Sequence, residues 1–190
     1  MRSLPPTNVI NAPTKIPVFW FSLHEFVDEL TQARLALEEV RATHPQSTPS
    51  NVKAIYMSPW KSHLLNEKFH PLCELTESIG KQISSNHLKA NLDALNLTLK
   101  LTDCWGVIYD NSDHTIPHMH YPADLSAVVY LEADENSAPI RFGDELELRP
   151  KPGLMVIFPG ILMHEVPANY SKRVVIAMNL QKFPKFMVGA

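Results

Sequence analysis

Residues 95–101 read Leu-Asn-Leu-Thr-Leu-Lys-Leu, with an apolar side chain at every second position. This spacing is typical of a β-strand with one buried face, because successive side chains of a strand point to opposite sides of its sheet. Before about residue 91 the spacing is different, since apolar residues recur there every three or four positions. The second half of the chain is therefore predicted to be β.

Short runs with strand character continue after this stretch and are separated by turns. The predicted strands span residues 103–109, 117–121, 125–132, 139–142, 145–148, 154–158, 163–166 and 172–180. Several short strands at this spacing indicate a sandwich or a barrel. Residues 91–190 are therefore expected to form one β core.

Two amphipathic helices are predicted before the β region. The first spans residues 22–44 and is expected to begin at Ser22, which would form a capping box with Glu25. The second spans residues 66–85, with Pro71 in its first turns, where proline is best tolerated. Both helices are expected to pack against one face of the β core.

The rest of the N-terminal half has weaker signals. Residues 50–60 are predicted to be a loop with a short strand, and residues 1–17 an irregular or strand-forming arm. The sequence contains no repeat or domain linker. Residues 1–190 are therefore expected to form a single domain, in which residues 1–90 are a helical support region.

Charge and cysteine content limit the classes of partner. The 190-residue chain has 17 Lys and Arg against 20 Asp and Glu, a formal net charge of −3, and its basic residues are scattered. No nucleic-acid or membrane partner is therefore expected. Cys73 and Cys104 form neither a CxxC pair nor a disulfide framework, which fits a reducing compartment and a cytoplasmic location.

A histidine pattern suggests a metal site. His118 and His120 are two positions apart, so on a strand both imidazoles would leave the same face, at a spacing that suits two ligands of one metal. His164 lies in a later strand-like run, and Arg173 begins an apolar run, where a buried charge needs an anion. A single strand histidine is more often a surface or packing residue, and Arg173 could face solvent. The residues alone therefore do not decide between a metal site and ordinary surface or packing residues.

The stretch from Cys104 to Leu180 resembles the Fe(II)- and 2-oxoglutarate-dependent dioxygenases, closest to their prolyl-hydroxylase-like branch. Those proteins have a His-x-Asp motif on an early strand, a histidine on a late strand and an arginine shortly after it. The matching blocks are residues 117–120, 126–131, 143–148 and 152–166, followed by Arg173. The resemblance implies a mainly β protein with flanking α-helices, in which a double-stranded β-helix, or cupin-like jelly roll, carries two N-terminal helices.

The resemblance also implies the metal ligands. His118 and His164 match two ligands of Fe(II), and His120 stands where the family has an aspartate. A third imidazole is neutral, so this centre would keep both positive charges of the metal until the oxoacid binds. Three-histidine iron sites exist in the wider cupin group. If His120 is not a ligand, Asp124 is the nearest alternative carboxylate.

Four further residues match positions around the cosubstrate. Arg173 would bind the distal carboxylate of 2-oxoglutarate, and the hydroxyl of Tyr130 would assist it. Tyr109 precedes His118 at a spacing where related enzymes place an active-site tyrosine. Asn179 could line the pocket, although a structural hydrogen bond would explain this polar residue in an apolar strand equally well.

The activity implied by the resemblance is a hydroxylation. Fe(II), 2-oxoglutarate and O2 would be used, 2-oxoglutarate would be converted into succinate and CO2, and a protein or peptide side chain or a small molecule would be the substrate. Two other classes stay open: a three-histidine cupin-type enzyme that does not use 2-oxoglutarate, and a non-catalytic jelly-roll binding module. The sequence predicts neither the substrate nor the oligomeric state.

Overall fold

The computed structural model describes residues 15–188, so residues 1–14 of the predicted N-terminal arm lie outside the described residues. The helices of the described part are α1 (Val27–Thr43), α2 (Ser62–Leu65) and α3 (His70–Asn86), with 3-10 helices at Glu67–Phe69 and Lys185–Met187. The strands are β1 (Phe19–Ser22), β2 (Val52–Lys53), β3 (Tyr56–Met57), β4 (Leu97–Tyr109), β5 (His114–His118), β6 (Leu125–Glu132), β7 (Ile140–Phe142), β8 (Leu146–Leu148), β9 (Leu154–Pro159), β10 (His164–Val166) and β11 (Arg173–Pro184).

The strands form two antiparallel sheets. The larger sheet has six strands in the order β1-β9-β6-β11-β4-β3, and the smaller has five in the order β2-β5-β10-β7-β8. The chain crosses repeatedly between the sheets, since β5 and β10 in the smaller sheet are followed by β6 and β11 in the larger. This arrangement of two facing sheets is that of a jelly roll. The predicted mainly β architecture is confirmed.

The central strands of the larger sheet are buried on both faces. On β11, the side chains of Val174, Ile176 and Met178 belong to the apolar cluster on the outer face. Those of Val175 and Ala177 belong to a second cluster between the sheets. Because both faces are covered, such strands have nearly continuous apolar runs instead of a strict alternation.

Helices α1 and α3 cover the outer face of the larger sheet, as predicted. Ala36 and Leu37 of α1 and Leu72 and Ile83 of α3 pack in the outer apolar cluster. Gly106 allows α1 to pack closely against β4, because a Cβ at this position would lie 2.3 Å from Cδ1 of Leu37. The helices therefore support the larger sheet, while its other face is left for the cavity between the sheets.

The predicted start of the first helix is wrong. Ser22 is the last residue of β1 and pairs with Leu154 on β9, and its hydroxyl contacts Nδ1 of His24 at 3.0 Å. The helix begins at Val27, and Phe26 at its N-cap makes no side-chain hydrogen bond. The capping box does not form because pairing with β9 holds Ser22 in an extended strand.

Most other boundaries agree with the prediction. The 3-10 turn and α3 occupy the second predicted helix, with Pro71 in the first turn of α3. Residues 50–60 contain two short strands, β2 and β3. Two strands differ from their predicted bounds, since β5 spans His114–His118 and not residues 117–121, and β11 continues beyond residue 180 to Pro184. In the described part of the chain, no helix is both long and apolar enough to cross a membrane.

Candidate metal centre

A cavity lies between the two sheets and brings five of the seven predicted site residues together. It is lined by Val52, Trp105, Val107, Tyr109, Thr115, His118, His120, Val128, Ile140, His164, Val166, Arg173, Val175 and Ala177. Most of these side chains are apolar. The polar groups therefore act in a poorly hydrated space, where electrostatic interactions are stronger than in water.

Two of the histidines face each other across neighbouring strands. His118 on β5 and His164 on β10 are directly paired, and their ring centroids are 4.3 Å apart. Nδ1 of each ring lies 2.9 Å from a backbone carbonyl two residues earlier, that of Ile116 or Leu162. Because a carbonyl can only accept, Nδ1 carries the proton and Nε2 keeps its lone pair for a metal.

The third histidine reaches the cluster from a loop. His120 follows the end of β5, and its backbone N–H donates to the carbonyl of Gly160 at 2.7 Å. Its ring stacks against Trp105, with centroids 5.7 Å apart, and its Nε2 is 3.2 Å from Nε2 of His164. The expectation that His118 and His120 share one strand face is therefore wrong, although both imidazoles reach the same cluster.

The three imidazoles lie close enough together to hold one metal ion. One nitrogen from each of His118, His120 and His164 lies within 4.8 Å of the others. Burial, and then the nearby His118, lowers the pKa of His164 to about 3 and that of His120 to about 4. Burial also lowers the pKa of His118. Neutral imidazole is the form that binds a metal.

Asp124 does not belong to this cluster. One of its carboxylate oxygens accepts from the backbone N–H of Lys182 at 2.7 Å, and the other lies 2.9 Å from Nζ of the same lysine. The carboxylate therefore ties the loop after β5 to β11. Asp124, the alternative ligand considered from the sequence, is therefore engaged with Lys182, whereas the His120 imidazole lies in the cluster with His118 and His164.

Arg173 is a buried cation with which no carboxylate of residues 15–188 pairs. It is 1% exposed, and among the described residues Nε and Nη1 have no hydrogen-bond partner. Nη2 lies 3.5 Å from the hydroxyl of Tyr130, at the limit of a hydrogen bond. A buried charge with unpaired N–H groups is costly unless a ligand satisfies it. Its donors fit a carboxylate, which guanidinium groups bind through two parallel hydrogen bonds.

Tyr109 and Tyr130 flank this guanidinium. Tyr109 is opposite Arg173 on β4, and Tyr130 on β6 is opposite Val175. Cζ of Arg173 lies 4.5 Å from the ring centroid of Tyr109 and 5.0 Å from that of Tyr130. Both rings therefore hold the cation by cation–π contact. The hydroxyl of Tyr109 is used elsewhere, since it lies 2.7 Å from Oγ1 of Thr115.

Asn179 is not brought to the cavity. It is opposite Ser126 in the pairing of β11 with β6, and its side-chain oxygen accepts from the Ser126 hydroxyl at 3.0 Å. It is absent from the residues that line the cavity, which on β11 end at Ala177. The structural hydrogen bond considered from the sequence is therefore the contact that Asn179 makes.

Trp105 and Thr115 line the cavity but were not among the predicted site residues. Trp105 shares a face of β4 with Tyr109, so the alternation of that strand could have identified it. Thr115 gives no such signal, because β5 and β10 change register between the pairs at His164 and Val166. Because of that irregularity, the side chains of Thr115 and His118 both line the cavity although they are three positions apart.

The donor set fits a divalent transition metal together with an acidic ligand. Three imidazole nitrogens suit a first-row transition metal such as iron, copper, nickel or zinc. The orphaned N–H groups of Arg173 in the same cavity fit a carboxylate. Both features lie in the lining of one cavity.

No protein-family model matches the chain, and no curated protein matches its sequence. Solved structures do resemble it. A prolyl-4-hydroxylase from Pseudomonas putida has a TM-score of 0.63 at 16% identity, over 87% of this chain and 92% of that one. A prolyl hydroxylase from Trichoplax adhaerens, in complex with a hypoxia-inducible-factor peptide fragment, has a TM-score of 0.63 at 12% identity, over 91% and 87%.

A third similar structure is that of an epimerase. The non-heme alpha-ketoglutarate-dependent epimerase SnoN from nogalamycin biosynthesis has a TM-score of 0.61 at 14% identity, over 87% of this chain and 78% of that one. At identities this low, the structural similarity establishes the fold and not the reaction. The chain therefore has the double-stranded β-helix fold of the 2-oxoglutarate- and Fe(II)-dependent oxygenases, in its prolyl-hydroxylase-like form.

Proposed function

We propose that the protein is an Fe(II)- and 2-oxoglutarate-dependent dioxygenase that hydroxylates its substrate. His118, His120 and His164 hold the iron, and Arg173 binds the distal carboxylate of 2-oxoglutarate with help from Tyr130. One observation carries this proposal: a single cavity contains three converging imidazoles and a buried guanidinium with unpaired N–H groups.

The residues around Arg173 prepare a carboxylate site. Its Nε and Nη1 groups are free to donate two charge-assisted hydrogen bonds. The Tyr109 ring holds the guanidinium from one side, and the Tyr130 hydroxyl lies next to Nη2. The valine side chains of the lining exclude water, which strengthens the interaction between guanidinium and carboxylate.

The metal site is fixed by the backbone. Carbonyl groups of Ile116 and Leu162 hold the tautomers of His118 and His164, so that Nε2 of each ring faces the metal. When bound, iron and 2-oxoglutarate supply an oxidation of the substrate by O2 that also yields succinate and CO2. The protein contributes the open coordination positions and a dry cavity.

The substrate class is a protein or peptide side chain or a small molecule. The Trichoplax adhaerens prolyl hydroxylase was solved with a peptide, which supports the first possibility. SnoN has a similar fold and is an epimerase from nogalamycin biosynthesis, which supports the second possibility.

We further propose that the chain acts as one domain, in which residues 1–90 support the jelly-roll core, and that it acts in the cytoplasm without a nucleic-acid partner. Free thiols at Cys73 and Cys104 agree with a reducing compartment. A net charge of −3 does not favour binding to a polyanionic partner.

A second candidate function is a three-histidine oxygenase that does not use 2-oxoglutarate. The presence of His120 where a carboxylate would be expected favours it. In that enzyme Arg173 has no cosubstrate, so replacing it by Gln would leave activity nearly unchanged. A non-catalytic binding module, in contrast, would hold no stoichiometric metal.

The proposal is tested by anaerobic titration of the Fe(II)-loaded protein with 2-oxoglutarate. A chelated oxoacid produces a weak visible charge-transfer band, and we expect this band to saturate in the wild type. The Arg173→Gln variant should need far more 2-oxoglutarate, whereas Arg173→Lys, which keeps the charge, should be affected less. Bound iron without a band would favour the second candidate, and no bound iron would favour the binding module.

A further inference from the structure

The charges that line the cavity are unbalanced. Arg173 is its only cationic side chain, and among residues 15–188 no aspartate or glutamate belongs to the lining. The three histidines are neutral ligands. A divalent metal bound to them therefore adds two positive charges to that of Arg173, in a space between two sheets where little water compensates them.

The carboxylate of Asp124 does not correct this balance. Asp124, on the loop that carries His120, is neutralised by Nζ of Lys182 at 2.9 Å. A carboxylate at position 120 would cancel one positive charge of the metal. With His120 in that position, one more negative charge has to come from the molecules that bind.

We propose that the substrate brings an anionic group of the carboxylate class into this cavity, beside 2-oxoglutarate, an inference that rests on the proposed function. 2-Oxoglutarate is a dianion and balances two of the three positive charges. The remaining charge attracts a monoanion and disfavours a neutral or cationic group at the same place. The substrate is therefore selected by charge as well as by shape.

The test compares acetate with acetamide, which have nearly the same size and differ in charge. The protein is loaded with Co(II), whose visible spectrum reports on ligands close to the metal. Each probe is titrated at constant ionic strength, with and without saturating 2-oxoglutarate. We expect acetate to bind at least about tenfold more tightly than acetamide in both series, the effect of one charge at close range.

Any divalent metal prefers acetate to some degree, so the preference must be compared between variants. His120→Asp supplies the missing negative charge, and His120→Asn has the same size without it. We expect the preference for acetate to fall about tenfold in His120→Asp relative to His120→Asn. An equal preference in these two variants would overturn the proposal, as would a wild type that binds acetamide as tightly as acetate.

A second pair of variants leaves the metal ligands intact. Arg173→Gln removes one positive charge and Arg173→Lys keeps it, so with 2-oxoglutarate saturating in both variants the Gln variant should show the smaller preference for acetate. This pair decides the matter if the His120 variants do not retain cobalt. A cobalt spectrum that does not respond to 2-oxoglutarate would contradict the proposed function, whereas the probe series without 2-oxoglutarate would still measure the charge preference.

Discussion

The hydroxyl of Tyr109 is held by Thr115, not by the guanidinium beside it. The two hydroxyl oxygens are 2.7 Å apart and both residues are buried. Thr115 belongs to β5, the strand that ends at His118, and Tyr109 supports Arg173. This contact therefore connects the proposed carboxylate site with the strand of a metal ligand.

Thr115→Val should weaken 2-oxoglutarate binding without weakening metal binding. Valine has the shape of threonine but leaves the Tyr109 hydroxyl buried without a partner, at a cost of about 1–3 kcal/mol. The Tyr109 ring then no longer holds Arg173 in one position. We expect the Kd of 2-oxoglutarate to rise several-fold in the metal-loaded protein, with an unchanged Kd for the metal, as measured by calorimetry.

Thr115→Ser keeps the hydroxyl and should restore most of the affinity. Tyr109→Phe removes the other partner, so the double variant of Thr115→Val and Tyr109→Phe should be little worse than either single variant. Additive losses, or wild-type affinity in Thr115→Val, would show that this hydrogen bond does not position Arg173.

At the residue scale, the sequence predicts the cavity only where alternation is regular. Tyr109 and Arg173 reach it from opposed positions of two long, continuous strands. His120 reaches it for a different reason than predicted, because its loop is attached to Gly160. Asn179 is on the same face of β11 as Arg173, but it lies beyond the cavity, and its side-chain oxygen accepts a hydrogen bond from Ser126. Loop paths and register shifts depend on contacts between distant residues, which a local pattern does not contain.

At the scale of elements, two loops position His120. Its backbone N–H donates to the carbonyl of Gly160, and the N–H of Gly160 donates to the carbonyl of Asp124 at 3.1 Å. The loops that follow β5 and β9 therefore hold each other. Gly160 cannot accept a side chain without movement, because a Cβ there would lie 2.2 Å from the carbonyl oxygen of Ala123.

Gly160→Ala should therefore weaken metal binding. The two loops must separate, and His120 moves away from the other two imidazoles. Displacing the support of a metal ligand typically costs about 10- to 100-fold in affinity, and we expect a loss in this range for Mn(II), measured by calorimetry.

Gly143→Ala is the matched control for this variant. Gly143 has a φ of +60° in the turn between β7 and β8, so alanine is strained there, but no atom would lie within 4 Å of its Cβ. This variant should lose stability and keep its metal affinity. A folded Gly160→Ala variant with wild-type metal affinity would contradict the positioning of His120 by these loops.

The start of α1 shows what local patterns miss at this scale. Ser22 and Glu25 have the spacing of a capping box, but Ser22 is paired with Leu154, far away in the chain. Strand pairing of β1 with β9 uses the residues that would have begun the helix. The second helix, whose apolar face and early proline have no such competitor, agrees with its prediction.

At the scale of the whole molecule, a metal that binds only the folded state must stabilise it. At a free concentration of about 100 times its Kd, the metal should add about 2.7 kcal/mol to the free energy of unfolding. For a chain of this size the melting temperature should rise by about 5–10 °C. His164→Ala should abolish this rise, which is measured as the difference between metal-loaded and metal-free samples of each variant.

The comparison within each variant matters because His164 also packs in the core. Its ring centroid lies 4.7 Å from that of Phe158, so the alanine variant loses stability by packing alone. An equal metal-induced shift in the wild type and in His164→Ala would mean that the three histidines do not form the site.

The central claim is that one cavity holds the metal and the oxoacid together, and calorimetry tests it most directly. 2-Oxoglutarate is titrated into the protein with and without Mn(II), and Mn(II) into the protein with and without 2-oxoglutarate. We predict that each ligand raises the affinity of the other by the same factor, of at least about tenfold, as linkage requires for ligands in contact. Binding of 2-oxoglutarate with the same affinity in the presence and absence of Mn(II) would contradict the account.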